Sequence, residues 1–231
     1  ESLLNLKSGK FIFENIKNFL LTNNKITEDW NALNLISKSA SNVGSYDLNL
    51  FSDSNGANKV LNDLKAENID FLFLFGQDDL KFNKKNEFVV YIGSHGDKGA
   101  SQANLILPGS AFTEQNGHFT NLEGKLQKSF KASYPPGEAK EDWEIINNLS
   151  ELIKRKKIFN NKDELLKSMM NYLNLNKKSD IIKKEKFEFI NEEIEVEKID
   201  YYYSNVISRS SKTMSECRNI RQNIKKTGTE G

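Results

Sequence analysis

The sequence predicts an α/β protein built on a mostly parallel, open sheet flanked by helices, with a small antiparallel excursion and an extended C-terminal tail. Three observations carry that prediction. Residues 69–75, 88–92 and 105–107 are short, almost wholly apolar runs, and each ends at glycine or at a proline–glycine pair. They are interleaved with stretches whose apolar residues recur every three to four positions, the alternation of strand and helix that a parallel sheet requires. With 231 residues, the chain can bury one sizeable core, or a core plus an appendage.

Ile12, Ile16, Phe19 and Leu20 fall on one helical stripe, so residues 10–21 read as a helix. Thr27 stands before Glu28, Asp29 and Trp30 as an N-cap, and Leu33, Ile36, Ala40 and Val43 predict a second helix ending at Gly44. Ala57, Val60, Leu61 and Leu64 mark a third. The run 69–75 is too short for a core helix and too continuously apolar for a one-sided strand, so it reads as a central parallel strand covered on both faces. The C-terminal ends of such strands are the ordinary ligand-binding edge. Here they carry Gly76-Gln77-Asp78-Asp79, the loop 93–99 and Pro108-Gly109-Ser110.

Beyond Thr113, the polar run about Glu123-Gly124 predicts the antiparallel excursion. Pro135-Pro136-Gly137 interrupts the chain; Trp143, Ile146, Leu149 and Ile153 then define a helix opening in the acidic turn Glu141-Asp142. Asn161 with Glu164 resembles a capping pair before Leu165, Leu166, Met169, Met170 and Leu173. The main domain is expected to span 1–175, followed by a mixed-sign surface excursion over 176–198 and an interface tail over 199–231.

The 33 basic and 32 acidic residues leave a net charge of +1, which provides no global field for a polyanion, so nucleic-acid binding is not expected. No apolar run approaches the roughly 20 residues of a membrane helix, so direct membrane insertion is not expected either. Cys217 is the single cysteine and His95 and His118 are the two histidines, too few for a four-cysteine cluster or a zinc set. The loop 93–99 has neither phosphate-binding glycine spacing, Ser94, Ser110 and Ser129 lack a nucleophile elbow, and no rule of spacing joins Glu114, Glu123, Glu138 or Asp142 to a nucleophile. On residue chemistry alone there is no catalytic constellation, and no metal or cofactor ligand.

One pattern remains. Gly93-Ser94-His95-Gly96-Asp97, then 103–109 ending in Pro108-Gly109, Thr113-Glu114, Asn121-Leu122-Glu123-Gly124-Lys125, and Pro135-Pro136-Gly137 running on to Asp142-Trp143 resemble the molybdopterin-oxidoreductase-type domain. The version they resemble is that of the large iron–sulfur subunit (75 kDa type, G chain) of respiratory complex I. Asp29-Trp30-Asn31 and the stretch 207–214 are similar to further segments of that subunit family. Asn104, Ser94, Leu122 and Lys125 depart from it, where aspartate, histidine, threonine and arginine are usual. Lysine at 125 offers a point charge in place of a planar fork.

The resemblance implies a C-terminal portion of such a subunit, non-catalytic and structural, with no cofactor of its own and with iron–sulfur clusters and FMN in partner chains. Its expected partners are the iron–sulfur (N-terminal) half of the same subunit and other peripheral-arm subunits. The expected place is the matrix side of the mitochondrial inner membrane, or else the bacterial cytoplasmic face. The motif residues then serve folding, and Tyr201, Tyr202, Ile207, Ser208, Arg209 and Met214 are interface candidates. Two other readings stay open: part of the catalytic subunit of a molybdopterin-dependent oxidoreductase, and a nucleotide-binding module using the Gly93 loop.

Overall fold

The computed structural model describes residues 2–37, 40–50, 56–77, 80, 82–96, 98–175, 187–194 and 200–223. Asp78, Asp79 and Asp97, and most of the expected excursion over 176–198, lie outside the described residues. The chain divides into two compact units, one made of 1–52, 118–128 and 165–197, the other of 53–117, 129–164 and 198–231.

In the first unit, helix α1 (Gly9–Thr22) follows the predicted stripe. Its start is held by a distant segment: Ser8, only 2% exposed, bonds through Oγ to both the carbonyl and the N–H of Ile190 (2.8 and 2.7 Å). Its N–H donates to Glu192 Oε1 (3.2 Å), which brings a carboxylate to a helix N-terminus, where the dipole favours it. Phe11 meets Phe189 edge-on at 5.8 Å, so residues 187–194 are packed against α1.

The second predicted helix does not form. Thr27 Oγ1 does accept the Trp30 N–H (3.0 Å), but an antiparallel bridge between Ile26 and Asn31 turns the chain back at once. Only a short helix, α2 (Asn42–Asp47), follows. An N-cap threonine and a reversing turn use the same side-chain bond, and the bridge decides between them.

In the second unit, α3 (Gly56–Lys65) leads into β1 (Phe71–Phe75), β2 (Phe88–Gly93), the short α4 (Lys98–Ser101) and β3 (Leu105–Pro108). The strands form a parallel sheet in the order β1-β2-β3, with Leu72 beside Val89, Leu74 beside Tyr91 and Val90 beside Leu105. This is the predicted α/β arrangement. Leu64, Leu72, Leu74, Val89 and Tyr91 make the core, with Leu61, Ala100 and Ala103 packed against it.

β1 departs from expectation. It alternates, with Leu72 and Leu74 buried but Phe71, Phe73 and Phe75 left 65%, 39% and 47% exposed. The strand lies at a sheet edge, and α3 and α4 pack on the opposite face.

The excursion is the hairpin β4 (Gly117–Thr120) and β5 (Leu126–Ser129). Helices α5 (Asp142–Lys154) and α6 (Lys162–Leu175) fall where the stripes place them, and Asn161 Oδ1 accepts the Glu164 N–H (2.9 Å) as the capping pair predicts. In the tail, a 3-10 turn at Tyr201–Tyr203 precedes α7 (Val206–Ser210) and α8 (Lys212–Asn223).

Leu74→Ala removes a side chain that is 4% exposed and is expected to cost about 2 to 5 kcal/mol in urea denaturation. Phe71→Ser, on the open face of the same strand, should cost less than about 1 kcal/mol.

Candidate functional site

The C-terminal edge of the sheet gathers most of the motif residues. β2 ends at Gly93 and β3 at Pro108, paired in register, and the Gly109 N–H donates to the Gly93 carbonyl (3.0 Å). A Cβ on Gly109 would lie 3.3 Å from the Gly93 backbone and 2.9 Å from Asp142 Oδ1. One on Gly93 would lie 2.5 Å from the phenolic oxygen of Tyr91. That phenol cannot move aside, because Tyr91 is 2% exposed and its hydroxyl donates to the His95 carbonyl (2.6 Å). Both glycines are thus required by close approach.

His95 has its ring Nδ1 3.0 Å from Ser94 Oγ. Gly96 stands before α4, with Ala100 3.3 Å from where its Cβ would be. Asp97 lies outside the described residues.

A second strip of chain is laid onto this edge. The Lys140 N–H donates to the Pro108 carbonyl (3.1 Å) and the Ser110 N–H to the Lys140 carbonyl (2.8 Å), a parallel bridge that delivers Glu141, Asp142 and Trp143 to the start of α5. Pro136 and Gly137 form the turn before it, with Gly137 at φ +54° and the Ala139 N–H bonded to the Pro136 carbonyl. Glu141 Oε2 accepts from Trp143 Nε1 (2.9 Å) and from Lys162 Nζ, which also donates to the Asn116 carbonyl (2.6 Å). Burial holds the Asp142 carboxyl above the usual carboxylate range, and the charge of Glu141 adds to the effect. Glu114 Oε2 accepts the Ala111 N–H (2.9 Å) in the turn after β3. The Ser110 hydroxyl is buried without a hydrogen-bond partner.

Asn121, Glu123 and Gly124 belong to the hairpin of the other unit. Asn121 Oδ1 accepts the N–H of Glu123 (3.1 Å) and of Lys125 (2.9 Å), and Gly124 takes φ +78°. Apolar pockets of about 350 and 400 Å³ lie in that unit, lined among others by Val43 and by Leu122, one of the departures from the family pattern.

In the tail, Arg218 Nε donates to Asp200 Oδ2 (2.5 Å), and this hydrogen bond is the main cause holding the Asp200 carboxyl below its usual range. The Arg218 guanidinium lies 4.7 Å from the centre of the Tyr203 ring. Ser208 and Asn205 cap α7 reciprocally, and Arg209 Nη1 donates to the Tyr203 carbonyl (3.4 Å). Tyr201 is 78% exposed, while Tyr202, Ile207 and Met214 are half-buried.

Sequence reasoning missed three groups. Tyr91 sits in an apolar strand, where its hydroxyl gives no signal. Asn147 is 6% exposed and accepts the Ile158 and Phe159 N–H groups while donating to the Phe159 carbonyl; a polar residue one turn after Trp143 on the buried face was the available signal. Asn104, which stands out in the sequence only as a departure from the family pattern, accepts from the Val89 N–H (2.9 Å) and Lys84 Nζ (2.6 Å), which a carboxylate oxygen there could equally do.

The glycine-lined join, with its short loops and delivered helix, is the C-terminal edge of a parallel α/β sheet. A family model described as molybdopterin oxidoreductase matches residues 1–152, and the chain belongs to that family. A second model, for the C-terminal part of the G subunit of NADH-ubiquinone oxidoreductase, matches residues 173–217.

Among relatives, the chain is 35% identical to the NADH-ubiquinone oxidoreductase 75 kDa subunit of Reclinomonas americana, over 94% of this chain and 33% of that protein. It is 38% identical to the G subunit of the NADH-quinone oxidoreductase of Rickettsia bellii, over 89% of this chain and 30% of that protein. To the mitochondrial 78 kDa subunit of Candida albicans it is 37% identical, over 82% and 28%. The chain spans about a third of the length of these relatives.

Among the described residues no group of three His, Cys, Asp or Glu could hold a metal ion, and Cys217 is exposed on α8.

Gly93→Ala should lower stability by about 1 to 3 kcal/mol in urea denaturation, since the new methyl meets a hydroxyl that is held in place. Asp142→Asn should behave differently. A carboxyl with a raised pKa suits the fold when protonated, and stability is lost as pH climbs through the raised value. The variant should therefore melt at or above the parent temperature at pH 7, and the difference should narrow below about pH 4.

Proposed function

We propose that this chain is a structural, non-catalytic portion of the large subunit of the peripheral arm of respiratory complex I, supporting NADH-to-ubiquinone electron transfer coupled to proton pumping. The observation that carries the reading is the order of the two family matches on one chain, molybdopterin oxidoreductase over 1–152 and then the C-terminal part of the complex I G subunit over 173–217. The second match speaks against the catalytic subunit of a molybdopterin enzyme.

The geometry of the motif residues supports a scaffold role. Gly93, Gly109, Glu114, Asn121 and Glu141 close turns or joins through backbone contacts and fixed hydrogen bonds, which is work done in folding. In this reading flavin and iron–sulfur clusters are held by partner chains, and the iron–sulfur half of the same subunit is the principal partner.

The site of action is the peripheral arm on the matrix side of the mitochondrial inner membrane. The mitochondrial relative supports that placement, and the Rickettsia relatives keep the bacterial cytoplasmic face as the second possibility. Among the described residues no helix is long and apolar enough to cross a membrane, which is consistent with a peripheral position.

Native gel electrophoresis of respiratory membranes, followed by mass spectrometry, tests the assignment. The chain should comigrate in stoichiometric amount with the cluster-bearing polypeptide, and recovery only as a free monomer would overturn it. Within the complex, His95→Ala should reduce the amount assembled while NADH oxidation per flavin stays within about twofold of the parent. A large loss of turnover in fully assembled complex would instead give His95 a catalytic role.

A further inference from the structure

Helix α5 starts in acids and ends in cations. Asp142 and Glu144 lie in its first turn, and Lys154, Arg155, Lys156 and Lys157 follow one another at its far end, in a chain whose net charge is only +1. A cation in the last turn suits the helix dipole, but this run continues past Lys154, where the dipole no longer accounts for it. Lys157 pairs with Glu151 at 3.6 Å, and among the described residues Lys154, Arg155 and Lys156 have no carboxylate within ion-pair distance. Aliphatic side chains stand at the same corner. Ile146, Leu149 and Ile153 share one stripe of α5, and Leu152, Ile153 and Ile158 are 80%, 70% and 51% exposed. An exposed aliphatic centre with a charged rim is the anatomy of an interaction surface.

The corner is held in one shape from beneath. Asn147, 6% exposed, accepts the N–H groups of Ile158 and Phe159 (2.7 and 3.0 Å) and donates to the Phe159 carbonyl (2.7 Å), while Ser150 Oγ donates to the Lys156 carbonyl (2.9 Å). Arg155, at φ +54°, turns the chain out of the helix. The cations and aliphatics are thus presented in fixed register. Residues 153–172 also fall between the two family matches, 1–152 and 173–217, so the corner lies outside the stretches by which either family is recognised. A surface there serves a contact of this assembly and not the completion of the shared domain.

Charge selects the occupant. An anionic membrane surface is a poor match, because a helix lying on it carries cations along its polar face, whereas α5 carries Asp142, Glu144 and Glu151 along its length and its cations only at the end. A second copy is a poor match too. A two-fold contact would set the run 154–157 against itself, cation on cation. A helix bearing carboxylates satisfies both halves of the corner, its apolar ridge on the stripe of α5 and its acids on the flanking cations. We propose that Leu152, Ile153 and Ile158, with the cations 154–157, form the docking surface for an acidic amphipathic helix of another subunit of the respiratory complex. The proposal rests on the complex I reading above.

The test places the photocrosslinker p-benzoylphenylalanine at position 153, in place of Ile153, in the intact respiratory complex and maps crosslinked peptides by mass spectrometry. Crosslinks to an acidic helical segment of another subunit support the proposal. Crosslinks to a segment without an excess of acids, to the cluster-bearing part of the same subunit, to a second copy of this chain or to lipid overturn it, as does the absence of any crosslink. Adding Lys154→Glu and Lys156→Glu together should lower the crosslink yield at least about fivefold, while Lys59→Glu on exposed α3 should leave it within about twofold. Equal yields in the two variants would also overturn it. If the parent chain is present in the complex and only the results at this corner fail, the docking surface is wrong and the assignment stands; if the parent chain is absent from the complex, the assignment fails and the proposal with it.

Discussion

Strand β2 is hydrogen-bonded along both edges and withdrawn from solvent on both faces, with Val89 and Tyr91 toward the helices and Val90 and Ile92 on the other side. Val89, Tyr91 and Ile92 are 0%, 2% and 1% exposed, and burying side chains of this size contributes roughly 1.5 to 3 kcal/mol each as an upper estimate. Burial extends along β2 as far as Ile92, while Gly93 at its end is only half-buried. The phenol of Tyr91 has to find a partner within reach, and it takes the carbonyl of His95. The ring then occupies the space over Gly93, which accordingly has no side chain.

From that point the larger unit is assembled by contact. Gly109 bonds to Gly93, Lys140 bridges beside Gly109, and α5 begins two residues later with Asp142 close to the Gly109 backbone. Glu141 takes Trp143 and Lys162 together, which ties the starts of α5 and α6. The cost is visible at Asp142, a carboxyl that burial holds partly against ionisation, and at Ser110, whose hydroxyl is buried without a partner.

Residues that stand out in the sequence at this edge are therefore explained one by one by backbone turns and close approaches. Gly93, Pro108, Gly109, Pro136, Gly137 and Trp143 converge there, while Asn121, Glu123 and Gly124 build a hairpin loop in the other unit. The spacing of motif residues gave no hint of that division, because sequence separation says nothing about which unit a hairpin tip joins.

Periodicity and local capping are legible directly from the residues. α1, α3, α5 and α6 follow their apolar stripes, and the three strands fall on their apolar runs. The segment 28–44 shows where this stops. Its apolar spacing and its Thr27 cap suit a helix, but the cap bond is equally that of a turn, and the bridge between Ile26 and Asn31 decided for the turn. The run 69–75 shows the same limit in a strand: continuous apolarity established that it is a strand, but not which face is covered, since that depends on strand order and on the side to which the connections cross. Likewise the Ser8 clamp by Ile190 and Glu192 joins residues more than 180 positions apart, beyond the reach of any local pattern. Local propensity acts over one turn or one strand; the burial of faces and the pairing of distant segments are decided by the whole chain packing at once.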